Sequence, residues 1–436
     1  MPAAVSCSIP SADSKVRRMS YLARALALTV VVACHAPTRG GGNAATEDFD
    51  AMWRFVAERY PFLGDKATDW DKVGARYRPR AAAAQTDREL MGVLEGALGE
   101  LYDPHNLLNA SNSDSWRPVP HDIYVEQRAS SVVVTGVREG SAADRAGVRV
   151  GQQVIAIDGV AITAAATTRL PSALTRDDPA ARQWALLSAV AGRHGHERRL
   201  QVLERGAARE LVMSVPETYG GDAAAVSHTR LDGGVGYLRI GTFAGDAVTG
   251  QVDQALDAVR DAPALVIDVR DNAGGDDDIA RAIMGRFVGE RRQYAWRAKR
   301  EGTGLGKRWP EYVEPRGPWT YDRPVVVLID RFSANAAEGF AMGMQGMGRA
   351  RLVGTRMAGL GAAIDQITLP RSELGVQISS GPVFHVDGRA CASIAPDVEV
   401  DVVARAGAGD AILGAGQAEA LRLLAVASRA EPEPLR

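Results

Sequence analysis

Cysteine is scarce in this chain of 436 residues, and the three present, Cys7, Cys34 and Cys391, cannot supply a disulfide framework. No CxxC pair and no His/Cys metal spacing occurs, so neither a metal nor a cofactor is expected. Lysine is scarce too: the basic residues are mostly Arg, and no Lys follows Lys307. The formal net charge of −2 lacks the basic excess of a nucleic-acid binder, so no such partner is expected. A membrane-spanning run is missing near the N-terminus, where the apolar stretch 25–33 (ALALTVVVA) is too short to cross a bilayer.

What that stretch does fit is the apolar region of a signal peptide, with Arg17 and Arg18 ahead of it and Cys34 at its end. Residues 31–34 (VVAC) resemble a bacterial lipobox, whose Cys carries the lipid and becomes the new N-terminus. The alternative is ordinary secretion with an incidental Cys34. Residues 1–34 are thus read as a lipoprotein signal and 35–45 as a tether, which places the protein in the bacterial cell envelope, held at the membrane through Cys34.

The chain as a whole is 46% hydrophobic, enough for two or three cored domains. Residues 46–118 read as helical. Thr46 is placed to cap a helix whose apolar face holds Phe49, Met52, Val56 and Tyr60, and Thr86 with Glu89 forms a capping box for another. That second helix runs to LYDPH (101–105), where Pro104 stops it. Residues 121–216 alternate in short strands, and 226–405 alternate strands with helices. Within the latter, 234–243 reads as a strand pair, 264–270 and 324–329 as buried strands, and 406–436 as a closing helix and tail.

The most informative segment is 330–340 (DRFSANAAEGF). It follows the apolar strand PVVVLI (324–329) and leads into an Ala/Met-rich helix. A strand–sharp turn–helix unit is where many hydrolases present a nucleophile. The segment resembles the nucleophile motif of the C-terminal processing and tricorn-core serine peptidases, close to S/T-A-S-A-x-E. DVRDNAGG (268–275) resembles the D-L-R-x-N-x-G-G of the same family, and 138–162 (REGSAADRAGV…IAIDGVAI) resembles a PDZ domain. The resemblance implies an α/β fold: a crotonase-like peptidase core, an N-terminal helical domain and an inserted PDZ-like domain.

It also implies site residues. The nucleophile's slot holds Asn335, whose carboxamide is a very poor nucleophile but a good helix cap, with Glu338 completing a capping-box arrangement. Ser333, two residues earlier, is the alternative nucleophile. The amides of Gly274 or Gly275 and of Ala336 are the implied oxyanion donors. In the Ser/Lys branch a Lys follows the Ser by about 25 residues; here that slot is Leu360. The tricorn-like branch takes its base from a motif that LYDPHN (101–106) matches loosely, offering His105. Its acid would lie near 390–391, where Ala390 and Cys391 stand. Asp276, Asp277 and Asp278 read as acids complementing a helix N-terminus.

The leading expectation is a degenerate peptidase that binds peptides or unfolded protein segments. The alternatives are an active serine peptidase using Ser333 and His105, and an envelope scaffold without a cleft. The lipobox makes its own prediction. Cys34→Ala leaves unprocessed precursor or soluble protein and abolishes metabolic palmitate labelling; labelling unchanged in Cys34→Ala contradicts the anchor.

Overall fold

A computed structural model describes residues 42–204, 206–215, 224–407 and 409–430. Cys7, Cys34 and the signal-peptide reading lie outside the described residues.

The chain organises around a six-stranded sheet. Its order is Val398–Glu399, Arg351–Gly354, Val325–Ile329, Leu265–Asp268, Gly236–Ile240 and Val226–Arg230. All neighbours are parallel except the last pair. The strand Val325–Ile329 is apolar at every position because both its faces are covered. Val325, Val327 and Ile329 point to the helices Val248–Ala258, Asp277–Met284 and Ala336–Gly346. Val326 and Leu328 point to the opposite face, under the helix Ala411–Ala430. That closing helix is long and apolar enough by length and composition to cross a membrane, yet its Ile412 and Ala420 are buried against the sheet.

A second, antiparallel sheet contains Leu107–Leu108, Gly375–Phe384, Arg292–Arg297 and Trp309–Val313, with Ala362–Thr368 also paired to Gly375–Phe384. The helices Gly42–Arg59, Trp70–Ala83 and Asp87–Gly99 bury Phe49, Met52, Val56, Leu90 and Leu94 against Val376 and Ile378 of this sheet and the adjoining Leu369. A polypeptide segment more than 270 residues downstream therefore completes the core of the N-terminal helices.

Several local expectations need correction. Thr46 is not a cap: the first helix begins at Gly42, so Thr46 lies inside it and the tether reading does not extend through Ala45, which is buried. The Thr86–Glu89 capping box is present, but the helix it opens ends at Gly99, before Pro104. The helix Trp70–Ala83 lies within the region read as helical, though the sequence reading gives it no face or cap of its own, and Pro79 lies inside it. Residues 234–243 hold one strand, Gly236–Ile240, and its antiparallel partner is Val226–Arg230.

The third unit is a β-rich layer ordered Ile123–Arg128, Ser131–Val137, Gln153–Ile157, Arg198–Glu204 and Ala207–Met213, with helices Ala142–Arg145, Ile162–Arg169 and Pro179–Ala191. An ion pair is sealed in its interior. Arg198 donates from Nη1 to Asp122 Oδ1 at 2.8 Å and from Nη2 to Asp122 Oδ2 at 2.6 Å, both side chains being almost wholly buried. Burial works to raise the Asp122 carboxyl, and the guanidinium fork outweighs it, holding the group below its ordinary value.

Truncating one partner strands the other charge in an apolar interior. Arg198→Met is expected to cost about 3–5 kcal/mol in urea unfolding followed by tryptophan fluorescence. A loss under about 1 kcal/mol means that the pair is replaceable by apolar packing.

Candidate active site

The site forms where two parallel strands end side by side, the usual place for ligands in an open α/β sheet. After Ile329 the chain turns at Asp330, whose Oδ1 accepts the amides of Asp271, Phe332 and Ser333 at 3.1, 3.0 and 2.9 Å. One carboxylate oxygen thus holds both the turn after Val325–Ile329 and the turn after Leu265–Asp268. A second tie runs between them from the Ala334 amide to Asn272 O at 2.9 Å. Asn272, fully buried, donates from Nδ2 to Ile240 O at 2.9 Å, which adds the third strand.

Ser333 belongs to this scaffold. It is fully buried; its Oγ donates to Val269 O at 2.8 Å and accepts the Asp330 amide at 3.0 Å. With its proton committed and no route to solvent, Ser333 does not fit the role of alternative nucleophile. Asn335 occupies the elbow itself, at φ 55° and ψ −120°. That backbone is not the extended one of an ordinary N-cap residue, so the capping reading is corrected in part. The Glu338 half of the arrangement is present, while the Asn335 side chain faces a cavity.

The glycine turn packs directly on the elbow. A Cβ on Gly274, at φ 98°, would come within 2.7 Å of Asn335 Cβ and 2.9 Å of Ala336 N, and one on Gly275 within 2.3 Å of Phe243 C. The Gly274 amide donates to Asn272 Oδ1 at 2.8 Å, so as an oxyanion donor Gly274 is corrected: it contributes close approach, not its N–H. The amides of Gly275 and Ala336 have no protein acceptor among the described residues. These are the two that remain for a substrate carbonyl oxygen.

Glu338 ties the elbow to the strap at 359–361. Its Oε2 accepts the amides of Asn335 and Leu360 at 3.0 Å each, and Oε1 that of Gly359 at 2.8 Å. Leu360, in the slot of the family's Lys, therefore serves through its backbone. Complete burial pushes the Glu338 carboxyl up to about 7 against the pull of these amides.

His105 arrives from the helical layer. It is 5% exposed, and its Nδ1 lies 3.3 Å from Ser379 Oγ on the strand Gly375–Phe384. Its Nε2 is buried without a partner among the described residues. Burial lowers its pKa against the opposing pull of Asp103 and Asp277, so the imidazole is neutral at pH 7. A neutral imidazole with Nδ1 held and Nε2 unengaged has the form of a general base.

Asp277 lines the same cavity as Asn335 and acts electrostatically on His105. It also receives Arg297 Nη2 at 2.5 Å. The sequence reading assigned all three acids to the helix N-terminus; Asp276 does cap it, accepting the Asp278 amide at 2.7 Å, while Asp277 turns to the cavity. Position in an acidic run carried no signal to separate them. Cys391 lies in the cavity wall, and burial, then Glu338 and Asp277, push its thiol well above the usual range, so it is not a thiolate at neutral pH. The apolar remainder of the wall is Met284, Phe340 and Val383.

The Glu338 geometry carries a pH prediction. Its folded pKa is raised above the unfolded one, so the folded chain holds the proton more tightly and this group's contribution to stability falls as pH rises from about 4.5 to about 7. Comparing wild type with Glu338→Gln is expected to remove up to one proton from that slope, ~1.4 kcal/mol per pH unit. Identical pH slopes for the two proteins contradict the assignment.

Comparison with known proteins agrees with this geometry. Residues 234–400 match the model of peptidase family S41, residues 43–99 the tricorn protease C1 domain, and residues 133–169 a PDZ domain. The chain is 25% identical over 330 residues to the carboxyl-terminal-processing protease of Synechocystis sp., covering 71% of this chain and 70% of that protein. It is 26% identical over 347 residues to the protein of the same name from Picosynechococcus sp., covering 75% and 77%. Among solved structures, mature CPAF superposes with a TM-score of 0.62 at 13% identity, covering 89% of this chain and 97% of that one. The photosystem II D1 C-terminal processing protease gives 0.51 at 19% identity, over 82% and 94%. The two solved structures speak to fold alone, and with the family matches they lead to one statement: this chain carries the S41 peptidase fold and a PDZ domain and is similar to the C-terminal processing peptidases.

Proposed function

We propose that this protein is a degenerate peptidase of the cell envelope, lipid-anchored through Cys34, which binds peptide or unfolded protein segments in the S41 site without cleaving them. Its core is read as crotonase-like, carried by residues 226–405, with the helical domain at 46–118 and the PDZ domain at 121–216. The observation that carries the reading is Asn335. It stands on the strained elbow where the family's nucleophile stands, while other features persist: two available amides, the Glu338 strap and a partly apolar cavity beside it, and a neutral His105 under the electrostatic influence of the cavity's Asp277.

A carboxamide has no hydroxyl for His105 to deprotonate, and it is too poor a nucleophile to form an acyl-enzyme. Removing the nucleophile of a serine protease costs on the order of 10⁶ in kcat, leaving about 10³–10⁴ over water from oxyanion and binding effects. That remnant falls below ordinary assays. The binding half of the machinery does not need the hydroxyl, since a backbone carbonyl still meets the amides of Gly275 and Ala336.

The expected outcome with purified protein is no turnover of unfolded casein and no labelling by a fluorophosphonate probe. Asn335→Ser is expected to label slowly, in a manner lost in Asn335→Ser/His105→Ala, because Ser379 and not a carboxylate orients the imidazole. Wild-type turnover or labelling that disappears in Ser333→Ala overturns the proposal in favour of an active enzyme.

A further inference from the structure

A second cavity, of about 1120 Å³, opens between the N-terminal helices and the helices Ile162–Arg169 and Pro179–Ala191. It does not share a wall residue with the Asn335 cavity. At its centre the Trp116 ring carries two guanidinium groups, Arg169 at 3.7 Å and Arg193 at 4.5 Å from the ring centroid. Arg169 also approaches Trp184 at 5.6 Å and donates from Nε to Ser188 Oγ at 2.9 Å. Arg193 donates from Nη1 to the backbone oxygen of Asp114 at 2.5 Å.

Among the described residues, neither guanidinium has a carboxylate within ion-pair distance. Burial first, then the charge of Arg193, lowers Arg169 to about 10. The nearby acids are otherwise engaged. Glu100 accepts Tyr77 OH at 2.7 Å, Ser172 Oγ at 2.5 Å and the Ala173 amide at 2.9 Å. The Asp114 carboxylate is taken by Arg88 and by His196. Glu95 faces the pair, but burial pushes it up to about 7, so at neutral pH it is an incomplete counter-charge. Two like charges over one indole, partly desolvated and opposed only by the incomplete charge of Glu95, make a site short of an anion.

The cavity is also bordered by the strand Leu107–Leu108, which lies at the edge of its sheet with one neighbour. An edge strand beside a basic, aromatic wall suits an extended chain better than an isolated ion. We propose that this cavity binds an acidic peptide segment, its side-chain carboxylate seated between Arg169 and Arg193 and its backbone alongside Leu107–Leu108. The proposal shares with the preceding reading only the chemical class of the ligand, and it concerns a different site.

The test uses the purified chain and a dansylated octapeptide of alternating Glu and Gly, against its Gln counterpart. The Glu peptide is expected to bind with an affinity that falls as salt rises, and to bind roughly tenfold weaker or worse to Arg169→Gln and to Arg193→Gln. Arg193 is exposed, so its replacement tests the site even where Arg169→Gln disturbs packing. Ala363→Val, which narrows the Asn335 cavity of about 20 Å³, is expected to leave this binding unchanged. Equal binding of Glu and Gln peptides overturns the proposal, as does binding unaffected by Arg193→Gln. Displacement of the peptide by low-millimolar inorganic phosphate would make this a free-anion site and also overturn it. Loss of binding in Ala363→Val would assign the peptide to the Asn335 cavity instead.

Discussion

The hydrogen bonds that Asp330 Oδ1 accepts are the constraint on which the site depends. That one oxygen takes amides from the turns after two adjacent parallel strands, so neither turn moves without the other. The Ala334–Asn272 bond doubles the link, and the lack of a side chain at Gly274 lets the turns touch. Several part-buried bonds to one carboxylate oxygen act together, and the strained backbone of Asn335 persists because its neighbours over-determine it. Ser333 is part of that over-determination, which gives a serine so close to the elbow a structural reason to be there.

Once the elbow is fixed, the other components fall into place around it. Glu338 reaches back to Asn335 and outward to the strap, placing 359–361 against the cavity. Phe332, between Asp330 and Ser333, points the other way: it is 3% exposed and packs in the apolar core of the PDZ domain, with Arg138 over its ring at 4.9 Å. Arg138 also pairs with Asp271 at 2.7 Å, and Arg331 pairs with Glu126. The PDZ domain is thus in contact with both turns that build the site. Substituting the nucleophile leaves this arrangement standing, because the hydroxyl of a nucleophile does not hold its own turn together.

Much of the fold was legible because burial on both sides of a parallel sheet writes unbroken apolar runs such as 324–329, and because capping boxes such as Thr86–Glu89 have a local cause. The helix Trp70–Ala83 was legible only as part of a helical region and not as an element with its own bounds, since an internal Pro79 argues against it and tertiary packing overrides that signal. At the site, the elbow, the glycine turn and His105 stood out as motifs. The partners that complete them did not. Ser379 and Asp277 meet His105 through the sheet and not through the sequence, and Asp277 is one of three consecutive acids with equal claims to a helix end. The division of labour between Gly274 and Gly275 depends on where Asn272 Oδ1 points, which no spacing encodes.

The central claim is a site that holds peptide and does not cut it. It is tested most directly by hydrogen exchange at the amides of Gly275 and Ala336 in the presence of a saturating unfolded peptide, with the mass of that peptide read in the same sample. The account predicts slowed exchange at both amides and a peptide recovered intact. Cleaved peptide, or exchange at both amides unchanged by bound peptide, would contradict it.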